Sequence, residues 1–303
     1  MSGSLFSKVA FLKHLSKIPS KMRLVRRIQY FSRRAEIEMA SNSLTIKHQI
    51  DEFFVKNLNV ADREIYQALT FGSRSQCRQD LIIAMLSDWL REGQVIEVGA
   101  TDGIFLSNSF LLEDEFGWSS VLIEPSRNWH KELFNNRPNA DIFIEAVSSE
   151  SGHEVGFTQT EFAELSGITH SLPSDNWARE RQHSIQYEVE TITLDEICKD
   201  RISANGFLAV SIDIEGGELE AIRGFANLLN LASVILVENN GSPEKIISLD
   251  SSIFAHGNFI RVNWPFESFD SWYVSRNLVS TNKVLQQSFN EVEFIHGEQK
   301  SGL

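Results

Sequence analysis

The sequence predicts a doubly wound α/β fold on a mostly parallel sheet, and three observations carry that expectation. Short apolar runs rich in β-branched residues alternate with segments of helical periodicity from about residue 76 to 280. One run, Gln94 to Val98, leads through Gly99 and Gly103 into an apolar-faced helix, the strand–turn–helix corner at which such folds hold ligands. Four runs end in an acid, at Glu97, Glu124, Asp213 and Glu238. Carboxyl ends of parallel strands share one rim of the sheet, so these acids are expected to line a cleft.

Taken in order, residues 1 to 40 form an arm interrupted by Pro19, and residues 44 to 69 read as a helical pair within a lead-in over 41–75. Phe71 to Ser75 is a turn. Gln79 to Arg91 reads as a helix with Leu81, Ile82, Met85, Leu86 and Trp89 on one face; Ser75 and Asp80 suit its cap. Strand Gln94–Val98 is followed by a helix over Ile104–Phe116 and by strand Ser119–Glu124. Asp141 to Val147 reads as the third strand. Glu154–Thr158 and Tyr187–Ile192 look like strands added around a polar insertion, Gln159–Gln186. Thr193 opens a short helix. Phe207–Asp213 is a further buried strand, with a helix running from Glu218 to Leu229. Ser233–Glu238, a helix from Pro243 to Ala255, and strands Asn258–Val262 and Trp272–Ser275 complete the domain. Residues 281 to 303 read as a polar tail with little to bury.

Composition sets limits on function. With 42% hydrophobic residues in 303, the chain can bury a sizeable core, and no run approaches the roughly 18 apolar residues of a membrane span. Cys77 and Cys198 match no metal spacing and point to a reducing, cytoplasmic setting. The net charge of −13 hides an asymmetry: residues 1 to 34 hold nine Lys or Arg and no acid, leaving −22 on the remainder. So acidic a body repels nucleic acid. The basic arm suits peripheral contact with anionic membrane, RNA or an acidic partner, and its acid-poor composition also fits a transit peptide or a solvated tail.

The glycine spacing separates ligand classes. A dinucleotide corner needs G-x-G-x-x-G, and Thr101 stands where its second glycine belongs. The segment E-V-G-A-T-D-G (Glu97 to Gly103) instead resembles motif I of the S-adenosylmethionine (SAM) methyltransferases. Seven blocks in order resemble the FkbM family of those enzymes. They are S-Q-C-R-Q-D from Ser75, E-V-G-A-T-D-G-I-F-L-S-N-S-F-L-L-E from Glu97, I-E-P from Ile123, T-I-T-L-D-E-I from Thr191, S-I-D-I-E-G-G-E from Ser211, V-E-N-N from Val237 and D-S-W-Y-V from Asp270. The resemblance implies a class I, Rossmann-like methyltransferase domain over 76–280 with an inserted lid. It also implies SAM as cofactor and O-methylation of a sugar, glycan or other small hydroxyl acceptor. Asn239 departs from the family, where relatives often carry His, and the basic arm lies outside the likeness.

On this reading Glu97 receives the cofactor's ammonium, directly or through water, Gly99 and Gly103 shape the pocket, and Glu124 binds ribose. Gln79 and Asp80 either reach the methionine end or cap their helix. A hydroxyl acceptor needs a base. Asp213 is the first candidate, with Glu215 and Glu218 as alternatives and His170 in the insertion as another. Glu218 also suits a helix N-terminus as a first-turn acid. Trp177, Arg179 and Arg181 suit a sugar or phosphate-bearing acceptor, or a lid packed on the core. Asp213 with Glu215 or Glu238 is compatible with a divalent ion, but the spacing requires none. Three rival classes remain: a nicotinamide-dependent enzyme, disfavoured by Thr101; a nucleic-acid methyltransferase, disfavoured by the acidic body; and a SAM-fold scaffold or partner protein without activity.

Overall fold

In a computed structural model, the described residues are 44–160, 165–172, 184–203, 206–266, 269–286 and 292–297. The basic arm and Trp177, Arg179 and Arg181 lie outside them. The chain divides into two compact units, 1–48 and 49–303. In the first, the described residues 44–48 are helical. The second opens with helix α1 (residues 49–57) and α2 (Val60–Leu69), which Asn59 caps by accepting from Asp62 N.

The sheet that organises the second unit holds eight strands. Running from one edge to the other, they are β12 (Glu293–His296), β10 (Phe259–Asn263), β11 (Asp270–Ser275), β9 (Val234–Glu238), β8 (Leu208–Ile212), β1 (Gln94–Val98), β2 (Ser119–Ile123) and β3 (Asp141–Phe143). The five from β9 to β3 pair in parallel; β10, β11 and β12 are antiparallel additions. The chain leaves β1 toward β2 and returns on its other side at β8. That reversal is the switch point at which a crevice opens beyond the strand ends.

Period-two alternation decides which side chains face which layer. Ile96, Val98, Val121, Ile123, Val210, Ile212, Ile235 and Val237 share one face and one apolar cluster. The cluster includes Leu194 and Ile197 of α6 (Leu194–Cys198), Ala221 and Ile222 of α7 (Glu218–Arg223), and Leu249 and Ile253 of α8 (Pro243–His256). Glu97 therefore points to the opposite face, that of α3 (Gln79–Leu86), α4 (Phe110–Phe116) and α5 (His130–Asn136). The central strands are buried on both faces, which is why they read as apolar runs rather than as alternation.

A second sheet, in the order β4 (Ala146–Val147), β7 (Ser184–Ile192), β5 (Glu154–Thr160) and β6 (Gly167–Ile168), is built by the insertion. The run expected as one strand over Asp141–Val147 is thus two. It breaks at Ile144, whose N–H donates to the side chain of Glu145, and its halves join different sheets.

Other boundaries also move. The helix expected from Ile104 begins at Phe110, because Asp102 accepts from the N–H groups of Ile104 and Phe105 and so closes a turn. Thr101 and Leu106 take positive φ in the same stretch. The helix expected to reach Arg91 ends at Leu86, since Asp88, Trp89 and Glu92 adopt left-handed backbone. That expected from Glu218 to Leu229 stops at Arg223. A Cβ on the following Gly224 would meet the Ser148 carbonyl at 2.1 Å, so the chain turns away through glycine. The expected tail carries secondary structure at its described residues. Helices α9 (Arg276–Thr281) and α10 (Lys283–Gln286) precede β12, Val284 and Leu285 are buried, and Asn282 donates to the Leu86 carbonyl at 2.7 Å. No helix among the described residues is long and apolar enough to cross a membrane.

Candidate active site

The ends of β1, β2 and β8 are laced together by the backbone. Gly99 N donates to the Ile123 carbonyl at 2.9 Å, and Asp213 N donates to the Val98 carbonyl at 3.0 Å. Gly99 has φ +89°, and a Cβ there would stand 1.9 Å from the Asp213 carbonyl oxygen. Only glycine lets the first strand's turn pass so close to the end of β8. The cleft beyond these ends is lined by Glu97, Gly99, Asn108, Glu124 and Asp213, among others. Phe157, Gly167 and Ile168 of the inserted sheet, with the adjoining Ser166, also line it.

Glu124 sits where the second strand ends. It is buried and accepts from Thr101 N at 2.9 Å and Ser126 N at 2.8 Å. Burial pushes its pKa up to about 7 against those two bonds, and Glu97 pushes in the same direction. Each oxygen keeps lone-pair capacity toward the cleft it lines.

Glu97, expected to receive the cofactor's ammonium directly or through water, lines the cleft and also has partners of its own in the loop beside it. Oε1 accepts from Asn108 N at 2.6 Å, and Oε2 accepts from Ser107 Oγ at 2.8 Å and Ser109 Oγ at 2.5 Å. Burial raises its pKa, and Ser109, Arg137, Asn108 and Ser107 oppose the rise. The carboxylate thus pins the 107–109 loop, with Oε2 the more fully engaged of its two oxygens. Gly103 is not a wall of the cleft. Its missing Cβ makes room for Arg137, whose Cγ would lie 2.5 Å away, and its carbonyl accepts from Arg137 Nη1 at 2.9 Å. Arg137 is buried, ion-paired to Glu113 at 2.6 Å, and also donates to Ser109 and Ser120 at 3.0 Å. It locks the loop from behind.

Asp213 ends β8 on the floor of the cleft. Its pKa is pushed up to about 8, first by desolvation, then by Glu215, Asp270 and Glu218, with Lys245 opposing. Solvent reaches the side chain through the cleft mouth, which screens the repulsion in the free protein; the effect grows as a ligand displaces that water. Glu215 follows with φ +55° and does not line the cleft. Glu218 is fully buried, accepts from Gly216 N at 3.0 Å and lies 3.0 Å from Lys245 Nζ, an ion pair without hydrogen-bond alignment. That engagement removes it as a base.

Asp80 is taken up by its own loop: it accepts from Ser73 and Ser75 hydroxyls at 2.7 Å and from Arg74 N at 3.0 Å. Gln79 accepts from Cys77 N and donates to Asp270 at 2.9 Å, on the rim beside Asp213 but outside the cleft lining. His170 is exposed in the turn after β6 and does not line the cleft. Among the described residues, no group of three or more His, Cys, Asp or Glu side chains is disposed to hold a metal ion. Sequence reasoning missed Asn108, Arg137, Lys245 and Asp270. The Ser-Asn-Ser triplet before an apolar helix was the signal for the first, and Asp270 opens the D-S-W-Y-V block; nothing local marks Arg137 or Lys245.

A parallel sheet with its cleft at the switch point, a glycine turn after β1 and a buried acid after β2 define a Rossmann-like domain of the class I methyltransferase type. The chain belongs to the FkbM methyltransferase family: the family model described as "Methyltransferase FkbM domain" matches residues 97–261, more than half of the chain. Among solved structures, it resembles the methyltransferase FkbM from Methylobacillus flagellatus KT at 15% identity and TM-score 0.41, over 62% of this chain and 45% of that one. It thus spans less than half of that relative's length. It also resembles precorrin-6y C5,15-methyltransferase from Geobacter metallireducens GS-15 at 9% identity and TM-score 0.36, over 65% and 86%. A third likeness is to MtNAS in complex with MTA and tNA, at 11% identity and TM-score 0.34, over 84% and 76%. No curated protein matches the chain.

Proposed function

We propose that this methyltransferase uses SAM to methylate a hydroxyl of a sugar, glycan or similar small acceptor, with Asp213 as the proton-accepting base. The observation that carries the reading is the convergence of Gly99, Glu124 and Asp213 on one cleft. The residues fit the cofactor's chemistry. Gly99 lines the cleft with no side chain to obstruct it, Glu124 keeps acceptor capacity for ribose hydroxyls, and the buried Oδ1 of Asn108 has no hydrogen-bond partner among the described residues. The acids around Asp213, with Lys245 as counter-charge, favour a cationic ligand.

When bound, SAM supplies an electrophilic methyl group to an in-line displacement. The chain's own task is to orient and to take a proton. Holding the reactants in line is worth roughly 7–11 kcal/mol, and a base at the acceptor hydroxyl contributes about 10²–10⁴-fold. Asp213 suits that base because its pKa near 8 lies close to working pH. Acceptor recognition is supported by the rim beyond it. There Asp270, Asn263, Trp264 and Phe266 border a groove offering amide and carboxylate groups beside aromatic rings, the partners a hydroxyl-rich ring takes.

Calorimetric titration with S-adenosylhomocysteine and with NAD, then transfer of labelled methyl to a sugar and glycan panel, tests the proposal. Binding of the first ligand alone, with labelling of a hydroxyl, is the expected result. Failure to bind S-adenosylhomocysteine would overturn it. Glu124 adds a sharper check. Glu124→Ala should weaken that binding by about 1–3 kcal/mol. Ribose hydroxyls donate to the ionised form, so wild-type affinity should fall as pH drops through about 7. Glu124→Gln should flatten that dependence; a variant that follows the wild-type pH curve would remove Glu124 from the ribose.

A further inference from the structure

We propose that Asn108 receives the amino-acid end of the methyl donor, accepting a hydrogen bond from its ammonium group at Oδ1. This rests on the donor assignment above, and it moves to Asn108 a task the sequence had given to Glu97.

Asn108 is only 8% exposed, yet it lines the cleft beside Glu97, Val98, Gly99 and Asp213. Its position is fixed twice. The backbone N–H donates to Glu97 Oε1 at 2.6 Å, and the side-chain Nδ2 donates to Ser211 Oγ at 2.9 Å. The second bond orients the amide, because Ser211 lies on β8 two residues before Asp213. Oδ1 is left buried without a hydrogen-bond partner among the described residues. A buried amide oxygen without a donor is costly, and a ligand that brings one recovers that cost. Chemistry selects the donor: Glu97 behind the loop and Asp213 across the cleft make the surroundings negative, so a primary ammonium is preferred to a neutral hydroxyl. Glu97 is less available for this contact, since Oε2 already accepts from two hydroxyls and Oε1 from the Asn108 N–H.

The test compares three probes by calorimetry on the full chain: S-adenosylhomocysteine, its desamino analogue, and 5′-methylthioadenosine, which lacks the amino-acid end. Asn108→Ala should weaken S-adenosylhomocysteine by about 10- to 100-fold and change the other two by less than about threefold. Asn108→Asp keeps an acceptor and should retain the preference for the amine-bearing ligand. Its loss there would mean that the amide faces the cleft with Nδ2, and would overturn the assignment. Should Asn108→Ala fail to fold, Ser211→Ala frees the amide to rotate and should give a smaller loss with the same ligand pattern. An equal loss on all three probes, or none, overturns the role of Asn108 alone. Wild-type chain that binds none of the three overturns the methyl-donor reading as well.

Discussion

Gly99→Ala should abolish ligand binding and lower the melting temperature by roughly 6–12 °C, from a loss of about 3 kcal/mol. Two effects add. Alanine at φ +89° carries the backbone penalty of a left-handed residue, and its Cβ would overlap the Asp213 carbonyl at 1.9 Å. That oxygen belongs to backbone, so relief requires the ends of β1 and β8 to part. Parting them breaks the Asp213 N to Val98 carbonyl bond and moves Asp213 away from Glu124. Gly152→Ala is the internal control. Gly152 has φ +79° with nothing within 4 Å of a Cβ, so it reports the backbone penalty alone, about 1 kcal/mol. The difference between the two variants measures the crowding. Equal melting temperatures, with S-adenosylhomocysteine still bound by Gly99→Ala, would show that the strand ends are not held as tightly as their geometry requires.

How far the site was legible follows from the range of each interaction. Strand ends such as Val98, Ile123 and Ile212 are set by β-branched runs buried on both faces, and those runs are visible in the sequence. The acids Glu124 and Asp213 close such runs, so their place on one rim was legible too. Glu97 obeys the same pattern but also pins the 107–109 loop, which was not legible, because its partners Ser107, Asn108 and Ser109 lie ten to twelve residues on in a segment that reads as helix. Asp102 closes the turn that delays that helix, and its bonds to Ile104 and Phe105 compete with helix start in a way periodicity does not register. Arg137 and Gln79 act through contacts 34 and 191 residues away in sequence. No local pattern distinguishes such a buried arginine from an exposed one. The strand Glu293–His296 has the same origin: the edge of β10 that captures β12 exists only once the sheet has formed.

Asp213→Asn should cut methyl transfer by about 10²-fold or more, change S-adenosylhomocysteine affinity by less than roughly tenfold, and raise rather than lower stability. The last part follows from the sign of the pKa shift. In the unfolded chain the group has its ordinary value of 3.8; in the fold it stands at about 8. Between those limits the folded state holds a proton that the unfolded state has lost, so stability falls as pH rises through this window. The causes are desolvation first and then repulsion from Glu215, Asp270 and Glu218, with Lys245 opposing, and solvent reaching the side chain moderates both in the free protein. Asparagine keeps the shape and removes the charge. The gain in melting temperature should therefore be larger at pH 8.5 than at pH 5.5. A residue kept for stability would show the opposite. An acid retained against the stability of its own fold needs a functional reason, and proton transfer from an acceptor hydroxyl supplies one. The kcat/KM profile of the wild type should accordingly rise toward pH 8, and that limb should vanish in Asp213→Asn. Insensitivity of wild-type turnover to a chelator separates this role from metal binding. Near-wild-type turnover by Asp213→Asn would refute the assignment, and neither Glu218, engaged by Lys245, nor Glu215 and His170, which do not line the cleft, would inherit it without rearrangement.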